Sequence, residues 1–327
     1  MATELTTETG RVPAAPATAP LDGPRTFIEV TEVWVPDATG ERLVLASGIY
    51  GDLAAFAAAS GQESFARGEG LPGKAWDEAR PVVLKAFRGS YFKRTEAAEA
   101  AGLTAGVAVP IFAGDRLKAV LTVLCAADEI RTGAIEVWHA ASGSDVLTLE
   151  DGYYGAASHF EWVSQRTEFP RGLGLPGGVW AAGAPILMRD LGAGYRFIRA
   201  ESAGRAGLTT GLGLPVPSPA AGARVLALLS ARGTPIARRF EVWEVVPARG
   251  DHPAEAVLVD GLCAREGPLW GTPQRVAAWR GPLGEAVATG LPLAREGVAG
   301  LPGDHRAMVA FPVHTRGELS HIAAWYL

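Results

Sequence analysis

Cysteine is scarce in this chain of 327 residues, which has only Cys125 and Cys263, so a scaffold held by several disulfides is excluded. No apolar run approaches the roughly 18 residues that a membrane-spanning helix needs, and residues 1–20 lack the basic and apolar segments of a secretory signal. Clusters of Lys and Arg are also missing, and the formal net charge is −5, which argues against a nucleic-acid-binding surface. We therefore expect a cytoplasmic protein with neither a membrane nor a nucleic-acid partner.

The N-terminal segment, residues 1–24, consists largely of Thr, Ala and Pro. Such a composition cannot bury a core, and it predicts a disordered tail. The remaining chain has the composition of an ordinary globular protein, with 48% hydrophobic and 20% charged residues over the whole sequence. Its length allows two or three compact domains.

Internal repetition is the strongest feature that is present. Trp34, Trp138 and Trp243 each follow the dipeptide Glu-Val and recur at nearly equal intervals. Residues 34–87 align with 138–191 without a gap, which is the pattern of a duplicated unit. We divide the chain into repeat 1 (25–129), repeat 2 (130–233) and repeat 3 (234–327), of which the third is degenerate.

One repeat reads as an α+β module. Val30–Pro36 and Leu43–Ile49 predict a hairpin, Pro72–Ala79 predicts a short helix, and Ala105–Phe112 and Leu117–Cys125 predict a second hairpin. With two further short helices and one further strand, the order is β-β-α-α-β-α-β-β, a roughly five-stranded antiparallel sheet with helices on one face. The last hairpin is apolar on both faces, so a neighbouring repeat or a second chain should cover the face that the helices leave open.

A longer motif, F-x-x-G-x-G-L-P-G-x-x-W-x-x-x-x-P, runs from Phe65 to Pro81 and again from Phe169 to Pro185. A strand, a helix, Gly-Leu-Thr and an apolar strand with a central proline follow it in both repeats. This pattern resembles the GAF domain family over 26–232 and more weakly over 236–327. The resemblance implies a signalling module with a small-molecule pocket between the sheet and its covering helices and loops. The long first helix typical of the family has no room after Cys125, so the repeats should pack directly against one another.

The glycine-rich loop Gly68–Gly73 also fits the dinucleotide motif G-x-G-x-x-G. No buried strand precedes it, and Pro72 removes one backbone N–H that could bind phosphate, so a tight turn is the better interpretation. As a phosphate-binding P-loop it lacks the Ser or Thr after Lys74, where Ala75 stands.

No metal or catalytic site is expected. The six histidines have no partner at metal-ligand spacing; a metal at His314 and His321, or a haem on His159, is the less favoured alternative. Some GAF relatives attach bilins through a cysteine or reduce methionine sulfoxide with several cysteines. Cys125 and Cys263 lie in neither motif, and they are interpreted as buried, inert thiols. The chain is therefore not expected to be an enzyme, and the sequence identifies no cofactor.

Recurrent aromatic residues give the candidate ligand site. They form the core beneath the loops or, in the sharper hypothesis, line an apolar pocket in repeat 2, with an arginine as the polar contact. The candidate site comprises Tyr154, Phe160, Trp162, Phe169, Trp180 and Arg199. Repeat 3, which has Val287 where the others have Trp76 and Trp180, is expected to be a terminal cap of the array.

The leading hypothesis is a non-enzymatic sensor that binds an unidentified small molecule and acts in trans on a protein partner that supplies the output. The alternatives are a ligand-free protein-interaction scaffold and, more remotely, a small redox enzyme on a GAF fold.

Overall fold

The computed structural model describes residues 26–126, 130–192, 197–270 and 274–327. The predicted tail at 1–24 lies outside these residues. Within them, no helix is both long and apolar enough to cross a membrane.

Repeat 1 forms one antiparallel sheet with three short helices. Its elements are β1 (Val30–Pro36), β2 (Arg42–Ile49), α1 (Ala54–Gly61), β3 (Ser64–Ala66), α2 (Gly70–Glu78), β4 (Val82–Leu84), α3 (Thr95–Ala100), β5 (Leu103–Ala113) and β6 (Arg116–Ala126). The strand order is β3-β2-β1-β6-β5-β4. The five expected strands are present, and the sixth is the three-residue β3, too short to show a periodicity in the sequence.

Repeat 2 has the same elements in the same order. They are β7 (Thr132–Ala140), β8 (Val146–Gly155), α4 (Ser158–Ser164), β9 (Glu168–Pro170), α5 (Gly174–Ala182), β10 (Ile186–Arg189), α6 (Ala200–Arg205), β11 (Leu208–Pro215) and β12 (Ala223–Ala231). The strand order, β9-β8-β7-β12-β11-β10, is that of repeat 1.

Repeat 3 keeps the sheet and loses most of the helical cover. Its elements are β13 (Arg239–Val246), β14 (Glu255–Cys263), β15 (Gly267–Pro268), β16 (Arg275–Ala277), α7 (Gly281–Thr289), β17 (Leu293–Glu296), β18 (Ala307–Thr315) and β19 (Glu318–Tyr326). The central order β14-β13-β19-β18-β17 is again the same. Residues 297–306, which replace the third helix of the other repeats, contain no helix, and α7 is the one helix in the described part of this repeat.

Each tryptophan of the repeat signature lies at the same place in its sheet. Trp34, Trp138 and Trp243 are buried on the first strand of their repeats, directly after a register shift against the second strand. The bulge turns the indole toward the helices. The spacing of the signature thus reports equivalent positions in three similar sheets.

The three sheets share one core. On β5, Val107, Val109 and Ile111 belong to an apolar cluster that also contains residues of repeats 2 and 3, whereas Ala108 and Phe112 face the core of repeat 1. This alternation explains why the last hairpin is apolar on both faces. A neighbouring repeat covers the second face, as expected from the sequence.

The repeats close into a ring. β4 contacts β8 of repeat 2, β10 contacts β13 of repeat 3, and β17 contacts β2 of repeat 1. The expectation of an open array with repeat 3 as its terminal cap is therefore wrong, because repeat 3 packs against both of the others and completes the shared core.

One charged residue recurs at an equivalent position in the three junctions, and it is basic in two of them and acidic in the third. Lys85 Nζ lies 3.4 Å from an Asp151 carboxylate oxygen, and Arg189 pairs with Asp260. At the equivalent position in repeat 3, Glu296 instead accepts hydrogen bonds from the Tyr50 N–H at 3.3 Å and the Gly51 N–H at 3.1 Å.

The residue opposite this charge, on the second strand of the neighbouring repeat, also changes. Ser47 pairs with Val33, Asp151 with Val137 and Asp260 with Val242, so the three residues occupy equivalent positions. Because Ser47 is uncharged, Glu296 faces no carboxylate from this position at its own junction, whereas it would face Asp151 or Asp260 at either of the others. These charges favour the order of repeats seen in the ring.

Reversal of the charge at Glu296 tests the third junction. In Glu296→Lys the Tyr50 and Gly51 N–H groups lose their acceptor, so we expect the free energy of unfolding to fall by about 1 kcal/mol, a modest figure because the carboxylate is exposed. Adding Ser47→Asp recreates the pairing of Lys85 with Asp151 and should recover part of the loss. Urea denaturation measures both changes. Glu318→Lys, on the exposed end of β19, is the control, and equal stability of the two lysine variants would contradict this junction.

Candidate functional site

A buried glutamate organises the space between sheet and helices in repeat 1. Glu32, on β1, accepts hydrogen bonds from Trp34 Nε1 at 3.1 Å and Tyr50 OH at 3.1 Å. The Arg94 guanidinium, which comes from the start of α3, binds both oxygens of the same carboxylate at 2.5 and 2.9 Å and also donates to Ser60. The charge is thus paired and hydrogen-bonded, as a buried carboxylate requires.

Repeat 2 has the equivalent glutamate, tryptophan, arginine and serine, but the buried Tyr154 hydroxyl makes no hydrogen bond to a described residue. Glu136 accepts a hydrogen bond from Trp138 Nε1 at 3.0 Å and a bidentate pair of hydrogen bonds from Arg199 at 2.5 and 2.9 Å, and Arg199 also donates to Ser164. Burial, followed by the charge of Glu136, raises the pKa of the Tyr154 hydroxyl. This side of repeat 2 is therefore a closed, charge-neutral core.

The structure brings together four of the six residues predicted as the ligand site. The Arg199 guanidinium lies 4.5 Å from the ring centroid of Phe160 and 5.4 Å from that of Phe169, and Tyr154 packs in the same cluster. All four side chains are buried, and the guanidinium is bound by Glu136. They lie where the family pocket was expected and fill that space.

The other two predicted residues lie apart from this cluster. Trp162 is 53% exposed on α4, with the Arg166 guanidinium 4.2 Å from its ring centroid. Trp180 packs on the edge of the repeat 2 core with Arg171 over its ring. A ligand site made of these six residues stays a prediction.

Repeat 3 keeps the buried glutamate and satisfies it differently. Glu241 accepts hydrogen bonds from Arg239 Nε at 2.6 Å, Trp243 Nε1 at 2.9 Å and Tyr326 OH at 2.7 Å. Arg239 stands two residues before the glutamate on β13, and Tyr326 comes from β19. Neither residue matches the arginine or tyrosine of the other repeats, so the alignment of repeats did not reveal them.

A cavity of about 220 Å³ opens beside this glutamate. Its lining includes Arg239, Glu241, Trp243, Gln274, Val276, Arg280, Leu283, Leu301, Met308 and Tyr326. It lies between the sheet and α7, at the place that the core aromatic residues and the arginine occupy in repeats 1 and 2. This cavity was not predicted, because the recurrent aromatic residues pointed to repeat 2 for the pocket and repeat 3 was expected to be a terminal cap.

Large-to-small replacements account for much of the cavity. In repeats 1 and 2 the third strand carries Phe65 or Phe169, whose ring meets the signature tryptophan edge-on at centroid distances of 4.8 and 4.7 Å. The equivalent residue of β16 is Val276, which pairs with Ala256 of β14. In the other sheets a leucine pairs with the phenylalanine. Repeat 3 has thus lost a phenyl ring, a leucine side chain and the arginine-bearing helix from one region.

A second, larger cleft of about 330 Å³ lies in repeat 1 between α3 and the start of β5. Its lining includes Arg88 and Glu99, which pair with each other at 2.7 Å, and it does not reach the Glu32 network. We regard the repeat 3 cavity as the candidate site, because buried polar and apolar groups converge there as they do in small-molecule sites.

The glycine loops have a structural role. A Cβ on Gly73 would lie 2.1 Å from the carbonyl oxygen of Ala66, and one on Gly177 would lie 2.2 Å from that of Pro170. The glycines allow the helix to approach the third strand, in agreement with the tight-turn interpretation. At the position of Gly68, repeat 3 has Trp279, which is 72% exposed and has a φ of 65°, a left-handed conformation that is strained for a bulky residue.

Neither cysteine is accessible. Cys125 and Cys263 are buried and unpaired, and burial raises the pKa of the Cys125 thiol. Among the described residues, no group of three or more His, Cys, Asp or Glu side chains is arranged to hold a metal ion.

Comparison with known proteins finds one family match, which covers the first repeat and the start of the second. Residues 29–137 match the family model described as GAF domain. The search of curated proteins found no match.

Three solved structures that match part of this chain are 19–23% identical to it. The A. aeolicus Nlh2 GAF domain in an inactive state is 23% identical, with a TM-score of 0.25, and the match covers 31% of this chain and 59% of that structure. Free methionine-R-sulfoxide reductase from Neisseria meningitidis in complex with its substrate is 21% identical, with a TM-score of 0.24, and the match covers 30% of this chain and 52% of that structure. The GAF domain of a Coxiella burnetii phosphoenolpyruvate-protein phosphotransferase is 19% identical, with a TM-score of 0.25, and the match covers 30% of this chain and 56% of that structure. The chain thus spans between half and three fifths of the length of these structures.

Proposed function

Since the first repeat of this chain is a GAF domain, a ligand-binding signalling fold, we propose that the protein is a non-enzymatic sensor that binds a small molecule in repeat 3. The observation that carries the proposal is the contrast between the repeats. Repeats 1 and 2 fill the space beside the buried glutamate with an arginine and a phenyl ring, whereas repeat 3 has a cavity there.

In this proposal repeats 1 and 2 form the frame on which repeat 3 is held. The shared core packs the sheet of repeat 3 against the other two sheets. A binding event that displaces α7 or residues 297–306 leaves that core intact, because both segments lie on the far side of the sheet. The buried cysteines support a non-enzymatic role.

We propose further that a protein partner in a cytoplasmic setting reads the ligand state. The support is exposed aromatic surface on repeat 3, where Trp270 and Trp279 are 69% and 72% exposed; tryptophan is enriched at the energetic centres of protein interfaces. Hydrogen exchange with and without a bound small molecule tests this, since a change confined to the cavity walls, with none at the surface around Trp279, would contradict it.

Val276→Phe tests the ligand site. The substitution restores the ring that packs against the signature tryptophan in the other repeats. We expect it to stabilise the fold by about 0.5–2 kcal/mol, as cavity-filling changes do, and to abolish small-molecule binding. Thermal unfolding with a panel of metabolites measures both effects, because a molecule that binds only the native state raises the melting temperature.

Val259→Phe is the matched control, since Val259 lies on β14 with its side chain exposed, and it should keep the melting shifts of the original chain. Shifts that persist in Val276→Phe would place the site elsewhere. If no metabolite of the panel raises the melting temperature of either protein, the ligand-free scaffold is favoured. The filled cores of repeats 1 and 2 are consistent with that alternative. A visible absorption spectrum of the purified protein would report a bilin, haem or flavin directly.

A further inference from the structure

The polar floor of the repeat 3 cavity is already satisfied. Glu241 accepts three hydrogen bonds, from Arg239, Trp243 and Tyr326. The Arg239 guanidinium also forms an ion pair with a Glu266 carboxylate oxygen at 3.1 Å. A charged group of a bound molecule would find no unpaired partner of opposite sign there. The floor therefore favours an uncharged part of the molecule.

The apolar space beside Trp243 corresponds to the space that a phenylalanine ring fills in repeats 1 and 2. In repeats 1 and 2 a Cβ on the first residue of the helix, Gly70 or Gly174, would lie 2.7 or 2.6 Å from the ring of Phe65 or Phe169. The equivalent Gly281 has no atom within 4 Å of such a Cβ. A ring bound against Trp243 would reproduce an edge-to-face contact that the other two repeats make internally.

A cation borders the same space. Arg280 precedes α7, lines the cavity, is exposed and pairs with no carboxylate among the described residues. The equivalent residue of repeat 1 is Glu69, of opposite charge, which accepts hydrogen bonds from the Ala66 N–H at 2.8 Å and from Arg42 at 2.9 Å. An arginine at this position is thus particular to repeat 3, since Leu173 is the equivalent residue of repeat 2, and the start of α7 adds the positive end of a helix dipole.

We propose that repeat 3 binds a small aromatic carboxylate, with its ring against Trp243 and its carboxylate at Arg280. This inference rests on the proposed function and adds the class of ligand. The ring takes the position that Phe65 and Phe169 hold in the other repeats, and the carboxylate emerges beside the first residue of α7. Val276, Leu283 and Met308 form the apolar walls.

Calorimetric titration of the full chain with benzoate and phenylacetate tests the proposal, with benzyl alcohol as the neutral ring and cyclohexanecarboxylate as the carboxylate without an aromatic ring. At least one aromatic carboxylate should bind, and more tightly than both comparison compounds. Arg280→Gln, an exposed change that keeps the apolar walls Val276, Leu283 and Met308, should weaken its binding about tenfold, since a charge-assisted hydrogen bond is lost. Binding of benzyl alcohol, which has no carboxylate, should change much less. Val276→Phe should abolish binding of every ring.

Two results in which a ring compound binds would overturn the ligand class and leave the proposed function standing. One is benzyl alcohol binding as tightly as the aromatic carboxylates, with loss in Val276→Phe. The other is tight aromatic carboxylate binding that Arg280→Gln does not change. If no ring compound binds while other metabolites shift the melting temperature in a manner sensitive to Val276→Phe, the class is again wrong and the site remains. If no molecule binds, both proposals fail.

Discussion

Arg199→Leu is expected to lower the free energy of unfolding by about 3–5 kcal/mol, because it leaves the Glu136 carboxylate buried without its cation. Both side chains of this pair are almost completely inaccessible, so water cannot replace the guanidinium. Urea denaturation followed by circular dichroism measures the loss. Arg94→Leu should behave alike in repeat 1, where the same pair forms with Glu32.

Two further variants separate charge from packing. The double variant Arg199→Leu with Glu136→Gln should be more stable than Arg199→Leu alone, since no buried charge is then unpaired. Arg205→Leu removes an exposed ion pair with Glu201 and should change stability by no more than about 0.5 kcal/mol. If Arg199→Leu kept its stability and lost binding of a small molecule, the ligand site would lie in repeat 2 and the arginine would be a ligand contact.

Removal of repeat 3 should prevent the rest of the chain from folding as a stable monomer. A chain that ends at Ser230 exposes the inward faces of the first two sheets, which in the ring pack against Phe240, Val309, Phe311 and Trp325 among others. Burial of large apolar side chains contributes roughly 1.5–3 kcal/mol each, so the loss is on the order of 10 kcal/mol, comparable to the 5–15 kcal/mol by which a typical domain is stable.

Light scattering and a thermal melt of the shortened chain measure the effect, and we expect association together with loss of a cooperative transition. Coexpression of residues 231–327 as a separate polypeptide should restore a monomeric complex with cooperative melting. A shortened chain that stays monomeric and melts close to the full chain would show that the repeats form an open array.

The architecture of one repeat was largely predictable, because its signals are local. The β-rich run of β1, the turn after Pro36 and the apolar β5 each depend on neighbours in sequence. The expected helix at 72–79 corresponds to α2, Gly70–Glu78. By contrast, β3 depends on pairing with β2 and has no periodicity of its own.

The candidate site could not be predicted in the same way. The aromatic residues of repeat 2 recur in sequence whether they fill a core or line a pocket, and the pairing of Arg199 with Glu136 depends on a contact between residues far apart in sequence. Repeat 3 looked degenerate because it lacks residues of the repeat motif, such as the tryptophan that Val287 replaces. Its buried glutamate is bound instead by Arg239 and Tyr326, which come from other positions than Arg94 and Tyr50. An exchange of partners around one buried charge leaves no trace in an alignment of repeats.

The sequence by itself determined that the chain repeats one α+β unit three times, that the unit resembles a GAF domain, and that its last hairpin must be covered on both faces. These properties follow from residue type and spacing along the chain. Only the tertiary structure decided that the three sheets close into a ring, that Glu32 and Glu136 are neutralised by arginines, and that the cavity lies in repeat 3. The physical reason is that cavities and buried charge pairs depend on which side chains meet across the sheets. Such contacts join residues far apart in sequence, as Arg94 and Glu32 are, and no local pattern records them.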